Sequence, residues 1–118
     1  MRQGDVYWVR FEGVGSEPRK VRPALVVQDD RFNDSAIRTT IVVALTTTER
    51  LAFKPGNVRL RKGEANLPRP SVVNVTQVAT VDRARLGERI GSLSRPRLVE
   101  VLRGLLLVLG VRAGASPG

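Results

Sequence analysis

The sequence predicts a small, mainly β domain in which short strands form a closed barrel and one helix follows at the C-terminal end. β-prone segments recur between residues 6 and 81, separated by stretches rich in glycine, proline, asparagine and hydroxyl side chains. After residue 94 the pattern changes to apolar residues at helical spacing. A chain of 118 residues has room for one such core. We therefore expect a single domain over residues 1–112 and a disordered tail at residues 113–118, which lack apolar bulk.

The first strand is predicted at residues 6–11, where β-prone side chains alternate between two faces. Tyr7, Val9 and Phe11 would share one of these faces. The stretch that follows, residues 12–22, combines glycine, serine and proline with several charged side chains. It is predicted to be a charged loop and is a candidate functional site.

Four later segments complete the predicted sheet. Residues 23–28 and 39–45 are near-continuous apolar runs, a pattern typical of strands buried on both faces, and should form its centre. Residues 57–60 and 71–81 are further predicted strands, separated by a segment whose prolines no strand interior would accept. The polar stretches between the strands are predicted to be loops, with room for a short helical turn.

The C-terminal helix has recognisable start and stop signals. Ser94 is a candidate N-cap, Pro96 suits the first turn, and Gly110 is a candidate stop. The apolar residues between them cover more than one narrow stripe, which indicates a surface for self-association in addition to the face that packs on the sheet. Gly104 is unfavourable inside a helix and either permits close approach of another backbone or is simply tolerated.

The composition excludes several kinds of chemistry. The chain has no cysteine and no histidine, which removes disulfides, thiolate nucleophiles, imidazole catalysis and the usual zinc ligands. Lysine and arginine number 20 against 11 acidic residues, a formal charge of +9. Such an excess on a small domain favours an anionic partner. Catalysis by this chain would have to use arginine, lysine, carboxylates and hydroxyls.

No targeting or membrane-spanning segment is recognisable. The N-terminal residues lead into an alternating segment, not into the apolar run of a secretory signal. The longest apolar run, residues 105–109, is far shorter than the roughly 20 residues that cross a bilayer. We expect a cytoplasmic protein without membrane association.

Five groups of residues occur in an order that is typical of one family. They are GDVYWV at 4–9, GSE at 15–17, RPALVVQDD at 22–30, VALT at 43–46, and a later group of Gln77 with TVD at 80–82, RL at 85–86 and IGSL at 90–93. In order and spacing they resemble the MazF/PemK family of toxins, over residues 4 to about 111. The chain departs from the family pattern at residues 18–20, at Pro70 and at Thr76.

The resemblance implies a fold, an activity and partners. The fold is a small SH3-like barrel with a C-terminal helix, of the type shared by MazF, Kid and CcdB toxins. The activity is sequence-specific cleavage of single-stranded RNA without metal or cofactor, leaving 2′,3′-cyclic phosphate and 5′-hydroxyl ends. The implied partners are a second copy of the chain and a cognate MazE-like antitoxin, in a complex that binds DNA.

Cleavage of RNA without a metal ion uses the 2′-hydroxyl of the substrate as nucleophile. The reaction requires removal of that proton, stabilisation of charge on the phosphoryl oxygens and protonation of the leaving 5′-oxygen. Arg22 suits the second task because a guanidinium can grip two phosphoryl oxygens, and by resemblance it is the family's catalytic arginine. Thr46 offers a hydroxyl donor and matches the catalytic threonine. Glu17 is the candidate base, or the carboxylate that holds Arg22.

Further residues are candidates for binding the RNA strand. Side chains that donate and accept hydrogen bonds can read splayed bases, and cations can attract the phosphates. The predicted RNA-binding residues are Ser16, Arg19, Lys20, Lys54 and Gln77. Each of them has an ordinary alternative as a solvated surface side chain.

Two other functions fit a basic barrel of this size. One is a toxin similar to the gyrase-binding CcdB family, which binds a protein and cuts nothing. The other is an RNA-binding regulator that does not cleave. The Arg22 and Thr46 matches favour the nuclease.

Overall fold

A computed structural model describes residues 1–11 and 20–111. In these ranges six strands form one curled antiparallel sheet, a half-barrel, with order β4-β5-β3-β2-β1-β6. The strands are β1 Asp5–Phe11, β2 Lys20–Val26, β3 Thr39–Thr46, β4 Val58–Leu60, β5 Ser71–Asp82 and β6 Leu86–Ser92. The helices are α1 Asp30–Asn33 and α2 Arg95–Leu109, with 3-10 turns at Glu49–Phe53, Glu64–Asn66 and Arg83–Arg85. The mainly β fold with a C-terminal helix is confirmed, and the tail predicted at 113–118 lies outside the described residues.

The sheet has two edges, β4 and β6, instead of closing fully as the strand spacing had predicted. The 3-10 turn Glu64–Asn66 occupies the position beside β6, where Asn66 Nδ2 donates to the Ile90 carbonyl at 3.2 Å. A Cβ at Gly91 would lie 2.4 Å from the Ala65 carbonyl oxygen, so only glycine permits this contact. The gap between the edge strands is therefore closed by a turn and not by a ladder.

The core consists of two clusters on opposite faces of the sheet. The larger one is covered by α2 and contains Val6, Leu25, Val27, Val43, Leu45, Val58, Leu60, Leu67, Val73, Val75, Leu93 and Val101. The smaller one contains Val9, Ala24, Val26, Val42 and Val81, with Tyr7 and Phe11 packed against it. The predicted shared face of Tyr7, Val9 and Phe11 is thereby confirmed, as is the central position of β2 and β3.

Strand β6 was not predicted from the sequence, because its glycines and charged residues are more typical of a turn than of a strand. Gly87 permits β1 to approach closely, since a Cβ there would lie 3.1 Å from the Trp8 carbonyl oxygen. The register between β1 and β6 shifts twice along the pair. Backbone pairing with β1 thus overrides the weak strand propensity of this segment.

Helix α2 begins and ends as its capping residues predict. The Ser94 hydroxyl accepts from the Arg97 backbone N–H at 3.4 Å, and Gly110 adopts φ 76° after the last turn. Near the middle of the helix, a Cβ at Gly104 would lie 2.1 Å from the Gly56 carbonyl oxygen. Of the two alternatives given for Gly104, close approach of another backbone is the one observed. Neither helix in the described ranges is long and apolar enough to cross a membrane.

Candidate active site

The two residues singled out for catalysis lie at one end of adjacent strands. The β2–β3 ladder pairs Val26 with Val42 and ends where Ala24 faces Ala44. Pro23, the next residue towards the start of β2, has no backbone N–H to donate, although it still stands opposite Trp8 of β1. If the antiparallel register is continued past Ala24 and Ala44, the next pair on the same face is Arg22 opposite Thr46. Both side chains therefore project from the face of the smaller core cluster, just beyond its last paired residues.

Arg22 is positioned from the other side by β1. It stands opposite Val9, a fully buried member of the smaller cluster, and is itself half-buried. The loop predicted to extend to Arg22 ends earlier, because pairing with Phe11 brings Lys20 into β2. Lys20 is exposed and lies two residues before Arg22, so both cations share one face.

The electrostatic surroundings of Arg22 are simple in the described part of the chain. No carboxylate of residues 1–11 or 20–111 forms an ion pair with it. A guanidinium carries five N–H donors in a planar arrangement. This arrangement can bind an anion.

The Thr46 hydroxyl has a fixed role within the fold. Its Oγ1 accepts from the Thr48 backbone N–H at 3.2 Å, which holds the side chain and leaves its own hydrogen free to donate elsewhere. Thr48 is also the residue that precedes the 3-10 turn Glu49–Phe53. The sequence signal for this contact is a hydroxyl side chain two residues before the N-cap of a turn.

Gln77 lies next to this end of β3 because β5 bulges there. The β3–β5 pairing passes from Val43 opposite Val78 to Leu45 opposite Val73, so that residues 74–77 face Ala44 alone. The extra residues leave the ladder and Gln77 is exposed. Gln77, Thr46 and Arg22 are thus brought to neighbouring positions on three adjacent strands.

Lys54 caps the 3-10 turn that follows Thr46 and is exposed. An asparagine that sequence reasoning overlooked fixes this turn. Asn57 Nδ2 donates to the Leu51 carbonyl at 2.9 Å, and Asn57 Oδ1 accepts from the Val75 backbone N–H at 2.9 Å. Asn57 therefore ties the turn carrying Lys54 to the start of the β5 bulge.

Three predicted site residues, Ser16, Glu17 and Arg19, lie outside the described residues. Their roles stay predictions, as do the roles given to Arg22, Thr46, Lys20, Lys54 and Gln77. Within residues 1–11 and 20–111, no cluster of three or more histidine, cysteine, aspartate or glutamate side chains is arranged to hold a metal ion.

Comparison with known proteins gives a consistent result. A family profile described as PemK-like, MazF-like toxin of type II toxin-antitoxin system matches residues 2–109. The chain is 41% identical over 108 residues to Endoribonuclease MazF6 of Mycobacterium tuberculosis, covering 91% of this chain and 95% of that protein. Endoribonuclease MazF2 of Mycobacterium bovis matches with the same identity and coverage.

A solved structure shares the fold at lower identity. A mycobacterial endoribonuclease in complex with its cognate antitoxin superimposes with a TM-score of 0.77 at 23% identity, covering 95% of this chain and 97% of that one. At this identity the likeness concerns the fold alone. It agrees with the curled sheet and C-terminal helix described above.

Proposed function

Since this chain belongs to the PemK-like and MazF-like family of toxins of type II toxin–antitoxin systems and is an endoribonuclease, we propose that it cleaves single-stranded RNA with Arg22 and Thr46 as catalytic residues. The observation that supports this proposal is the β2–β3 register, whose last pair is Ala24 with Ala44. Continued by two residues, the same register brings Arg22 opposite Thr46 on one face of the sheet. The unit that acts is a single domain, residues 1–112.

In the proposed reaction the ribose 2′-oxygen attacks the adjacent phosphorus. A P–O2′ bond forms, the P–O5′ bond breaks, and the products carry a 2′,3′-cyclic phosphate and a 5′-hydroxyl. Negative charge grows on the non-bridging oxygens, where the Arg22 guanidinium binds them in a bidentate manner. A guanidinium has N–H donors and no acceptor, so Arg22 is unsuited to act as the base. Glu17, which lies between β1 and β2 in the sequence, takes the proton of the 2′-hydroxyl. The departing 5′-oxygen takes up a proton from solvent and leaves as the 5′-hydroxyl, and Glu17 returns its proton to solvent.

Thr46 supplies a second donor in this proposal. Because the Thr48 N–H already occupies one acceptor site of Oγ1, the hydroxyl hydrogen is left to point away from the turn and toward a bound phosphoryl oxygen. Its position is set before substrate arrives, and donors that need no reorganisation stabilise a transition state most effectively.

Binding of the strand uses the cations and amide around this face. Lys20 extends the positive charge of Arg22 along β2, Lys54 lies on the turn after Thr46, and Gln77 can read a base edge from the β5 bulge. Ser16 and Arg19, which precede β2 in the sequence, are proposed to bind the strand as well. The preference for particular sequences would come from these contacts, and the net charge of +9 would draw RNA to the site.

Four assignments of partners and location belong to the same proposal. The exposed leucines 106, 107 and 109 at the end of α2 support a homodimer, since contiguous exposed apolar side chains mark association surfaces. A cognate antitoxin with an acidic tail would match the basic surface, and the pair would bind DNA. A cytoplasmic location is proposed because the substrate is messenger RNA.

The test is cleavage of a defined RNA by Arg22→Ala, Arg22→Lys and Thr46→Val. Arg22→Ala should lower kcat at least 1,000-fold, and Thr46→Val about 100-fold, because each removes a donor to the developing charge. Arg22→Lys should recover little, since an ammonium cannot grip two oxygens. Arg38→Ala, an exposed arginine at the far end of the β2–β3 hairpin, is the matched control and should cut normally.

Two outcomes would overturn the proposal. One is an Arg22→Ala protein that cuts at the wild-type rate. The other is cleavage at a position where the single ribose 5′ of the scissile phosphate is replaced by deoxyribose, because that sugar has no 2′-hydroxyl. Mass spectrometry of the fragment ends identifies the cyclic phosphate directly.

A further inference from the structure

Phe53 is the most exposed large apolar side chain in the described ranges. Its side chain is 91% exposed, followed by Leu109 at 71%. It ends the 3-10 turn Glu49–Phe53. A lone exposed aromatic needs no explanation by itself, but this one belongs to a turn that begins at the candidate active site.

The backbone beneath Phe53 is held in place. The Leu51 N–H donates to the Thr48 carbonyl, and the Lys54 N–H donates to the Leu51 carbonyl, both at 3.1 Å. The Leu51 carbonyl also accepts from Asn57 Nδ2 at 2.9 Å. These hydrogen bonds fix the backbone of the turn that carries Phe53, so little conformational entropy would be lost when a ligand binds its ring.

The turn is also connected to the proposed catalytic residues. Thr48 immediately precedes it, and the Thr48 backbone N–H donates to the Thr46 hydroxyl oxygen. At about 2 Å of rise per residue in a 3-10 turn, and at most about 3.5 Å per residue before it, Phe53 lies within roughly 17 Å of Thr46 along the backbone. A single strand of RNA bound at Thr46 can reach the ring within a few nucleotides.

The charge of the surrounding segment favours an anionic ligand such as a nucleic acid over a second copy of this chain. Residues 46–62 carry five cations, Arg50, Lys54, Arg59, Arg61 and Lys62, and one carboxylate, Glu49. Glu49 Oε1 forms an ion pair with Arg59 Nη2 at 3.4 Å. A second copy of this chain, with its charge of +9, would bring like charges to the same place.

We propose that Phe53 stacks on an unpaired base of the RNA and holds the strand in register with Arg22 and Thr46. The inference rests on the proposed function and adds a residue that selects and anchors the substrate without taking part in bond cleavage. Base stacking on an exposed aromatic ring is tolerant of sequence, while the neighbouring cations bind the phosphates on either side. The register of the scissile phosphate would then depend on Phe53 as well as on base-edge contacts.

The experiment compares Phe53→Ala, Phe53→Leu and Phe53→Trp in the full chain. With an RNA that the wild type cuts, Phe53→Ala should raise KM about 10-fold to 100-fold and leave kcat at saturating RNA within about 3-fold. Phe53→Leu should resemble alanine because it lacks a π face, and Phe53→Trp should retain wild-type KM. An uncleavable 2′-O-methyl version of the same RNA should quench the added tryptophan fluorescence of Phe53→Trp.

The matched control is Phe32→Ala, a 56% exposed phenylalanine on α1, at the opposite end of the β2–β3 hairpin. It should leave KM unchanged. Wild-type KM in Phe53→Ala overturns the stacking role while the cleavage proposal stands, whereas failure of the wild type to cut any RNA overturns the cleavage proposal. A change of oligomeric state in Phe53→Ala, measured by sedimentation velocity, would assign the ring to a protein interface and also refute stacking.

Discussion

The close contact between Gly104 and Gly56 allows us to predict how a substitution at Gly104 changes the stability of the fold. Replacing Gly104 by alanine would place a Cβ 2.1 Å from the Gly56 carbonyl oxygen and 3.2 Å from Val75 Cγ1. An ordinary carbon–oxygen contact is about 3.3 Å, so the two backbones would have to separate by roughly 1.2 Å. Gaps of that size forfeit a quarter to a half of the dispersion energy at the lining atoms.

Two opposing effects decide the sign. Alanine is favoured over glycine inside a helix by about 1 kcal/mol, whereas forced repacking costs about 1–3 kcal/mol and more when backbone must move. Here the obstacle is a carbonyl and not the end of a flexible side chain, so we take a cost of about 3 kcal/mol and a net destabilisation of about 2 kcal/mol. For a domain of this size that lowers Tm by roughly 8 °C.

Thermal unfolding followed by circular dichroism measures this directly. The control is Gly110→Ala, where φ is 76° and no atom lies within 4 Å of the added Cβ. That substitution should cost about 1 kcal/mol of backbone strain and nothing from packing. An unchanged or higher Tm for Gly104→Ala would show that α2 moves away freely, and the close approach would then not constrain the fold.

Two further predictions concern α2. The bidentate ion pair of Glu64 with Arg97, at 2.9 and 3.2 Å, lowers the pKa of the Glu64 carboxyl. The pair therefore stabilises the folded protein fully at pH values above the pKa of an unfolded glutamate, about 4.3. This stabilisation is lost as the pH falls through the lower pKa of the folded state. Glu64→Gln should lower the free energy of unfolding by about 1 kcal/mol at pH 7 and by almost nothing at pH 2. Glu100→Gln removes the exposed partner of the same arginine and should lower it by about 0.3 kcal/mol. Equal losses for the two variants in urea titrations at pH 7 would contradict this ranking. Leu109→Lys should shift the protein from dimer toward monomer in sedimentation velocity. The stability of the monomer itself should not fall, because Leu109 is 71% exposed. A wild type that sediments only as monomer would refute the interface.

Much of the fold could be predicted because local and global signals agree. The runs around Val26 and Val43 are apolar throughout because both faces of these strands are buried. The α2 boundaries follow from Ser94 and Gly110, whose caps are local interactions. Strand β6 is different, since its register depends on a long-range pairing with β1 that no local propensity encodes.

The candidate site was predictable in its residue types but not in its geometry. Arg22 and Thr46 are separated by 24 positions, and their opposition follows only from the β2–β3 register. The bulge that carries Gln77 and the brace made by Asn57 are tertiary features, produced by an excess of residues in β5 that only pairing reveals.

These contacts connect helix packing to RNA binding and allow their effects to be separated. Gly104 touches Gly56, the next residue Asn57 braces the turn, and the turn displays Phe53. Gly104→Ala should therefore weaken the protection of the Val75 N–H against hydrogen exchange and raise KM as well as lowering Tm, because the brace moves with the helix. Phe53→Ala should raise KM with no change in Tm or protection. If both variants raised KM but neither changed the exchange rate of Val75, the brace would not be what couples the helix to the ring.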